Sequence, residues 1–192
     1  MDLVTNAEVV ASWPGFGSID ADEQAALISD ASRAIEDYCR RSFGQATVTE
    51  SYSGGNRGRI WLRNRPVVSV ASVTIGGAEY TNADGGDWIV VAETGELVRG
   101  SGDCDPQFAP WFPAGTSNIT VEYTHGYSTV PGPVKRACIL AIRQLADLAK
   151  SGTAYVSESI GDYSYNRGSM APDAIPNAAL RLLGPYVHGG VF

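Results

Sequence analysis

Basic residues are in the minority: 14 Lys and Arg against 21 Asp and Glu give the 192-residue chain a formal net charge of −7 and a pI near 4.7. Proteins that track nucleic-acid phosphates usually need a basic domain, so this balance argues against such binding, and an acidic surface repels DNA. Histidine occurs only at positions 125 and 188. A histidine-rich metal site cannot be built from two, and a Ser/His/Asp triad would have to rest on one of them. Cys39, Cys104 and Cys138 are odd in number and far apart, which suggests neither a disulfide framework nor a thiolate metal site, and they are expected to be reduced. No run approaches the roughly 18 apolar residues of a membrane span. The opening Met1-Asp2-Leu3-Val4-Thr5 has no basic region or apolar stretch, so a soluble chain made in the cytoplasm, with no membrane partner, is expected. Walker loops, HExxH, GxSxG and dinucleotide fingerprints are also missing. Gly100-Ser101-Gly102 lacks the strand-to-helix setting and the third glycine of such a fingerprint. Neither a catalytic residue nor a cofactor or metal site is therefore assigned.

What is present reads as one globular domain, long enough to bury a core without staples, and its 22 Gly and 10 Pro announce many turns. Thr5 to Ser12 looks like a short capped helix that Pro14-Gly15-Phe16-Gly17 ends. Ser18 or Asp20 can cap a long helix running to about Ser42, on which Leu27, Ile28, Ala31, Ala34, Ile35, Tyr38 and Cys39 repeat at helical spacing. From Thr47 to Thr124 the pattern changes to short alternating runs split by glycine pairs. The expected strands are Val48 to Tyr52, Arg59 to Arg63, Val67 to Ile75, Trp88 to Val91, Glu96 to Arg99 and Ile119 to Tyr123. Gly100 to Gly115 is a longer loop. After Pro131, Val134, Cys138, Ala141, Ile142, Leu145 and Leu148 form a second amphipathic face that runs to about Lys150. Ala154 to Pro172 is polar, aromatic and irregular, and Pro176 starts a last short helix.

These elements predict an α+β fold: two long antiparallel packed helices, an inserted antiparallel β-subdomain, a short C-terminal helix and an extended C-terminal arm. The expected division of this single domain is 1–45 for the N-terminal helices, 46–126 for the β-insert, 127–152 for the second long helix and 153–192 for the arm and short helix. Cys39 and Cys138 should then both face the helical core as small hydrophobes.

Two segments carry interaction signals. Arg57, Arg59, Trp61, Arg63 and Arg65 would share one face of an extended segment while Ile60 and Leu62 take the other. Arginine forks pair carboxylate and phosphate alike, and with acids crowding the first long helix, subunit-to-subunit pairing suits this stripe better than DNA. The bland reading is a solvated strand face. Tyr155, Ile160, Tyr163 and Tyr165 lie in a stretch without helical period, where an arm could add to a neighbour's sheet. The bland reading there is a loop folded over its own core. Asp84, Asp87, Asp103 and Asp105 lack calcium-loop spacing and read as turn residues, and Asn118-Ile119-Thr120 is a chance sequon in a strand. Two other function classes stay open: a carbohydrate- or peptide-binding module with Trp61, Trp88 and Trp111 as an aromatic platform, and a small hydrolase using His125 with Asp103 or Asp105.

Ala31 to Phe43, Ile60 to Gly77, Val121 to Tyr127 with Val130-Pro131, and Glu158 to Ser164, in that order, together resemble the head-tail adaptor (connector) proteins of long-tailed bacteriophages. Ala31 to Phe43 (ASRAIEDYCRRSF) is similar to the end of that family's first helix, and Ile60 to Gly77 (IWLRNRPVVSVASVTIGG) looks like its strand, "RPV" turn and hairpin. Val121 to Tyr127 followed by Val130-Pro131 resembles its re-entry into the second helix, and Glu158 to Ser164 its post-helix segment. The resemblance implies a non-catalytic, homo-oligomeric, twelvefold ring in the virion neck. Such a ring docks under the portal protein, continues the DNA channel without sequence-specific binding, and presents a platform to the head-closure or tail-completion protein. It also implies portal or neighbour contact through the C-terminal segment, here Tyr155, Ile160, Tyr163, Tyr165 and Arg167. An acidic channel wall would let DNA slide.

Overall fold

A computed structural model gives the fold and describes residues 1–81, 88–100, 111–151, 157–160, 163–166 and 175–187. The chain forms two compact units, Met1–Arg41 with Val130–Phe192, and Ser42–Thr129.

The first unit is mainly helical. Helix α1 (Asn6–Ser12) begins with a capping box in which the Thr5 side chain accepts from the Glu8 amide and Glu8 accepts from the Thr5 amide. A 3-10 turn over Pro14–Ser18 follows and buries Phe16. Helix α2 (Ala21–Cys39) is capped by Asp20, which accepts from the Asp22 amide, and ends at Arg40 in the left-handed region at φ 53°. Its buried face holds Leu27, Ile28, Ala31, Ile35 and Cys39 as expected, with Gln24 and Ser32 added. Tyr38 departs from the expectation: it lies at 41% exposure. It falls at the margin of the stripe, where the ring can turn outward. Gln24 is buried without cost because its Nε2 donates to the carbonyls of Phe16 (2.9 Å) and Ile19 (2.7 Å) and its Oε1 accepts from Asn6.

Helix α3 (Gly132–Ser151) packs on α2 and on α4 (Asn177–Leu183). Serving two neighbours, it buries Ala137, Ile139 and Ala146 beside the predicted Val134, Cys138, Ala141 and Ile142, while Leu145 and Leu148 of the predicted stripe are half-buried. Ser32 Oγ on α2 lies 3.7 Å from Cys138 Sγ on α3 and accepts from the Leu3 amide at 3.0 Å. Lys135 on α3 reaches Glu8 on α1 at 2.5 Å. Strands β8 (Ser157–Ile160) and β9 (Tyr163–Asn166) pair antiparallel with Ile160 opposite Tyr163. This hairpin replaces irregular chain in the middle of the segment read as an arm. Tyr163 and Tyr165 alternate with Ser164 and Asn166, but over four residues the alternation is too short to mark a strand.

The second unit is built from antiparallel sheets. Strands β1 (Ala46–Gly54), β7 (Gly115–His125), β3 (Val67–Ile75) and β4 (Ala78–Thr81) form one sheet in that order. Strands β2 (Arg59–Trp61), β6 (Glu96–Arg99) and β5 (Trp88–Val91) form the other. Side chains of both enclose one core: Tyr52, Val70, Val73, Ile119, Val121 and Tyr123 from the larger sheet, Ile60, Trp88 and Leu97 from the smaller, and Phe112 from the approach to β7. On β7 every second residue from Ile119 to His125 is buried. On β3 two register shifts break that alternation, so Val67, Val70 and Val73 all turn inward at intervals of three. At the end of β7, Gly126 adopts φ +99°, and a Cβ there would lie 2.2 Å from the Gly44 carbonyl oxygen. Only glycine fits this close approach.

Candidate functional site

The arginine-tryptophan segment lies on the second unit, and its alternation is present in space. Ile60 and Leu62 are buried at 7% and 2%, whereas Trp61 is 52% exposed and Arg57, Arg59 and Arg63 are exposed. It is not one straight strand. Pairing is confined to Arg59–Trp61, and the chain turns over 62–66, where the Arg65-Pro66 peptide is cis. Each arginine has its own setting. Arg57 is held by its backbone, whose carbonyl accepts from the Phe112 amide at 2.9 Å. Arg59 donates through Nη1 to Glu96 Oε1 at 2.7 Å on the neighbouring strand. Arg63 lies over the Tyr52 ring at 5.0 Å and 3.9 Å from Glu50. Arg65 is half-buried against Gly95, where a Cβ would come within 2.9 Å of Arg65 Cγ, and donates to the Thr94 carbonyl at 3.4 Å.

A polar network that the sequence did not reveal fixes this turn. Glu50 accepts from the Tyr52 hydroxyl, from the Tyr123 hydroxyl at 2.6 Å and from Asn64 Nδ2 at 3.3 Å. Both hydroxyls also accept from the turn's backbone, Tyr52 from the Arg63 amide at 3.0 Å and Tyr123 from the Asn64 amide at 3.1 Å. Burial first, and hydrogen bonding to Glu50 second, push the titration of Tyr52 and of Tyr123 upward, so both remain neutral donors. The network ties the turn carrying Arg63 to the larger sheet. The only signal available in the sequence was a pair of tyrosines at inward positions of two separate strands.

The outer face of the smaller sheet continues the surface. Trp61 stands opposite Glu96 and Glu96 opposite Val91, while Arg59 stands opposite Val98 and Val98 opposite Ile89. Ile89 and Val91 are 42% and 41% exposed. Trp88 points to the other face and is 8% exposed, so Trp61 and Trp88 do not share a platform, and Trp111 is exposed elsewhere. His125 is buried at 4% with its ring 6.0 Å from that of Tyr123, which is a core position. Asp103, Asp105, Cys104 and His188 lie outside the described residues, as do Asp84 and Asp87.

Of the C-terminal contact residues, Ile160, Tyr163 and Tyr165 lie on the backbone of the β8-β9 hairpin, with Glu158 opposite Tyr165, and Tyr155 and Arg167 lie outside the described residues. Cys39 and Cys138 are buried in the helical core, and burial pushes each thiol up to about 11, so neither is a ready nucleophile. Among the described residues no cluster of His, Cys, Asp and Glu is arranged to hold a metal, and no helix is long and apolar enough to cross a membrane.

The fold thus defines an α+β class in which a small β-unit is inserted in sequence between two long helices. Within that class the family follows from the sequence: residues 3–186 match the model of the head completion proteins, and the chain belongs to that family. Among solved structures it is similar to a chain from the neck of an empty gene transfer agent (GTA) particle computed with C6 symmetry. That match has a TM-score of 0.58 at 18% identity and covers 99% of this chain and 92% of the other. A chain from the neck of the native particle, computed with C12 symmetry, matches with a TM-score of 0.55 at 17% identity over 98% and 95% of the two chains. Comparison with curated protein sequences finds no match.

Proposed function

We propose that the chain is a non-catalytic structural subunit of a virion neck, made in the host cytoplasm, that completes the head and joins it to the tail. The observation that carries this reading is the head completion family match across 3–186. The likeness of fold to a chain from a GTA particle neck computed with C12 symmetry supports it. In this reading the whole chain acts as a single adaptor domain, and its copies form a homomeric, twelvefold ring. The ring docks on the portal protein, receives the head-closure or tail-completion protein on its other side, and continues the DNA channel without sequence-specific contacts. The net charge of −7 suits a wall along which DNA slides. Tyr155, Ile160, Tyr163, Tyr165 and Arg167 are the proposed contacts to the portal or to a neighbouring copy. Arg57, Arg59, Trp61, Arg63 and Arg65 are the proposed inter-subunit stripe.

The reading is tested by producing the particle in cells that lack the chain. DNA-filled heads and separate tails should accumulate, and restoring the chain should restore joined particles. Joined, DNA-retaining particles formed without it would contradict the proposal.

A further inference from the structure

Three of the strands at the sheet edges of the second unit are short: β4 has four residues, β2 three and β5 four. The remaining edge strand, β1, has nine, and over residues 46–52 it pairs with β7 in unbroken register. In an antiparallel ladder every second residue turns its N–H and C=O to the partner strand, and the residues between turn theirs away. Beyond the β7 ladder, the backbone of residues 46–53 has no hydrogen-bond partner among the described residues, and Ala46, Thr47, Thr49, Ser51 and Ser53 are exposed. A row of backbone donors and acceptors is therefore open to another strand. β1 lacks the usual devices that blunt such an edge: its sequence, ATVTESYSG, has no proline, lysine or arginine, and its register shifts only past Tyr52. Its one charge, Glu50, is held on its own sheet by the hydroxyls of Tyr52 and Tyr123 and by Asn64.

The β8-β9 hairpin has the matching need. It is a two-stranded sheet joined to no other strand among the described residues. An isolated hairpin is at best marginally stable in water, and a third strand is what ordinarily makes it persist. Of its strands, β8 (SESI) carries Glu158 and β9 (YSYN) carries no charge, so β9 is the one that can lie beside Glu50 without setting like charges together. We infer that β9 of one copy adds to the open edge of β1 in a second copy, extending that sheet to the order β8-β9-β1-β7-β3-β4. Backbone hydrogen bonds supply the affinity of such a contact, and side chains at alternate positions, Tyr163 and Tyr165 among them, supply its specificity. Because the two edges differ, the contact is head-to-tail and repeats from copy to copy, closing into a ring when the rotation allows. The inference rests on the ring reading and names the contact that builds the ring.

Amide hydrogen exchange, read residue by residue, tests it on the full chain, first dilute and then assembled into rings, on a portal ring if the free chain does not assemble. Assembly should slow the exchange of every second amide of residues 46–53 and of alternate amides in β9 at least about tenfold, and leave the β1 amides that already face β7 unchanged. Ser164→Pro removes a β9 amide and should abolish both the new protection and the rings. The β1-β7 ladder amides of that variant should stay protected, which shows that the β-unit remains folded. Rings whose outward β1 amides exchange as fast as in the dilute chain would overturn the inference and leave the ring reading standing. Protection of β1 without protection of β9, or rings that persist with Ser164→Pro, would overturn the hairpin as the strand that occupies the edge. Protection already complete in the dilute chain would place the hairpin on β1 of its own copy and overturn the inference as well. A chain that forms no ring, alone or on a portal, would overturn the ring reading and the inference with it.

Discussion

The two units solve the packing problem with different side chains. Among the described residues, the buried apolar set of the helical unit includes Ala31, Ala137, Ala141, Ala146 and Ala179 with Cys39 and Cys138, whereas that of the β-unit has no alanine and relies on Phe112, Tyr123, Tyr52, Trp88 and Leu97. Helix axes that pack at about 8–10 Å leave little room, and small residues set the closer approach. Two sheets about 10 Å apart must be filled from both sides by long side chains. The difference means that the units should fail in opposite ways: the β-unit when volume is removed, the helical unit when it is added. Their polar interiors differ too. The helical unit buries single groups satisfied locally, such as Gln24, while the β-unit depends on one network centred on Glu50.

The largest effect is expected from Phe112→Ala, which empties a 1% exposed position in the β-core and should cost about 3–5 kcal/mol in denaturant unfolding. A loss below about 1 kcal/mol would mean that the core collapses around the gap and is not tightly filled. Ala141→Leu is the counterpart in the helical unit, at a position with no exposure, and should cost about 1–3 kcal/mol by overpacking. The same variant should speed thiol labelling of Cys138, since labelling requires this core to open. A neutral Ala141→Leu would erase the contrast between the units.

Tyr123→Phe removes the hydroxyl that joins Glu50 to the Asn64 amide and should cost about 1–2 kcal/mol. The loss should be accompanied by faster amide exchange at Arg63 and Asn64, a local signature that a simple packing change would not give. The smallest effect is expected at Glu8. The Lys135 hydrogen bond, then the Thr5 amide, hold its carboxyl below the usual 4.5. A lowered carboxylate contributes stability that is present above its unfolded value and lost as pH falls through the folded one. Because Glu8 is 40% exposed, solvent screening limits the pair. Glu8→Gln should therefore cost about 0.2–1 kcal/mol at neutral pH. The gap to the parent chain should close below pH 4.5, and a gap that persists in acid would assign the effect to the cap geometry instead.

Local signals made most of the elements legible in the sequence. The capped helix beginning near Thr5 is present, Asp20 rather than Ser18 caps the second, and the bounds of Val67–Ile75, Trp88–Val91 and Glu96–Arg99 coincide with the strands. What escaped depends on partners distant in the chain. β4 (Ala78–Thr81) carries little apolar alternation and is a strand because β3 pairs with it across the Gly76-Gly77 turn. The register shifts in β3 are set by β7. The outward residues around Trp61 could be read from alternation, but their continuation through Val98 to Ile89 and Val91 could not, because it needs the β2-β6-β5 order. The Glu50 network joins residues up to 73 positions apart and leaves no pattern of its own.

The central claim, a neck subunit that stacks on the portal, is tested most directly by mixing the purified chain with a candidate portal ring and imaging the product by electron microscopy. A version carrying Ile160→Ser, Tyr163→Ser and Tyr165→Ser, which retains the packing of α4 on α3, is imaged alongside. The account predicts a ring of this chain seated on the portal that is lost in that version. A full-length chain that binds no portal and remains a monomer would contradict it.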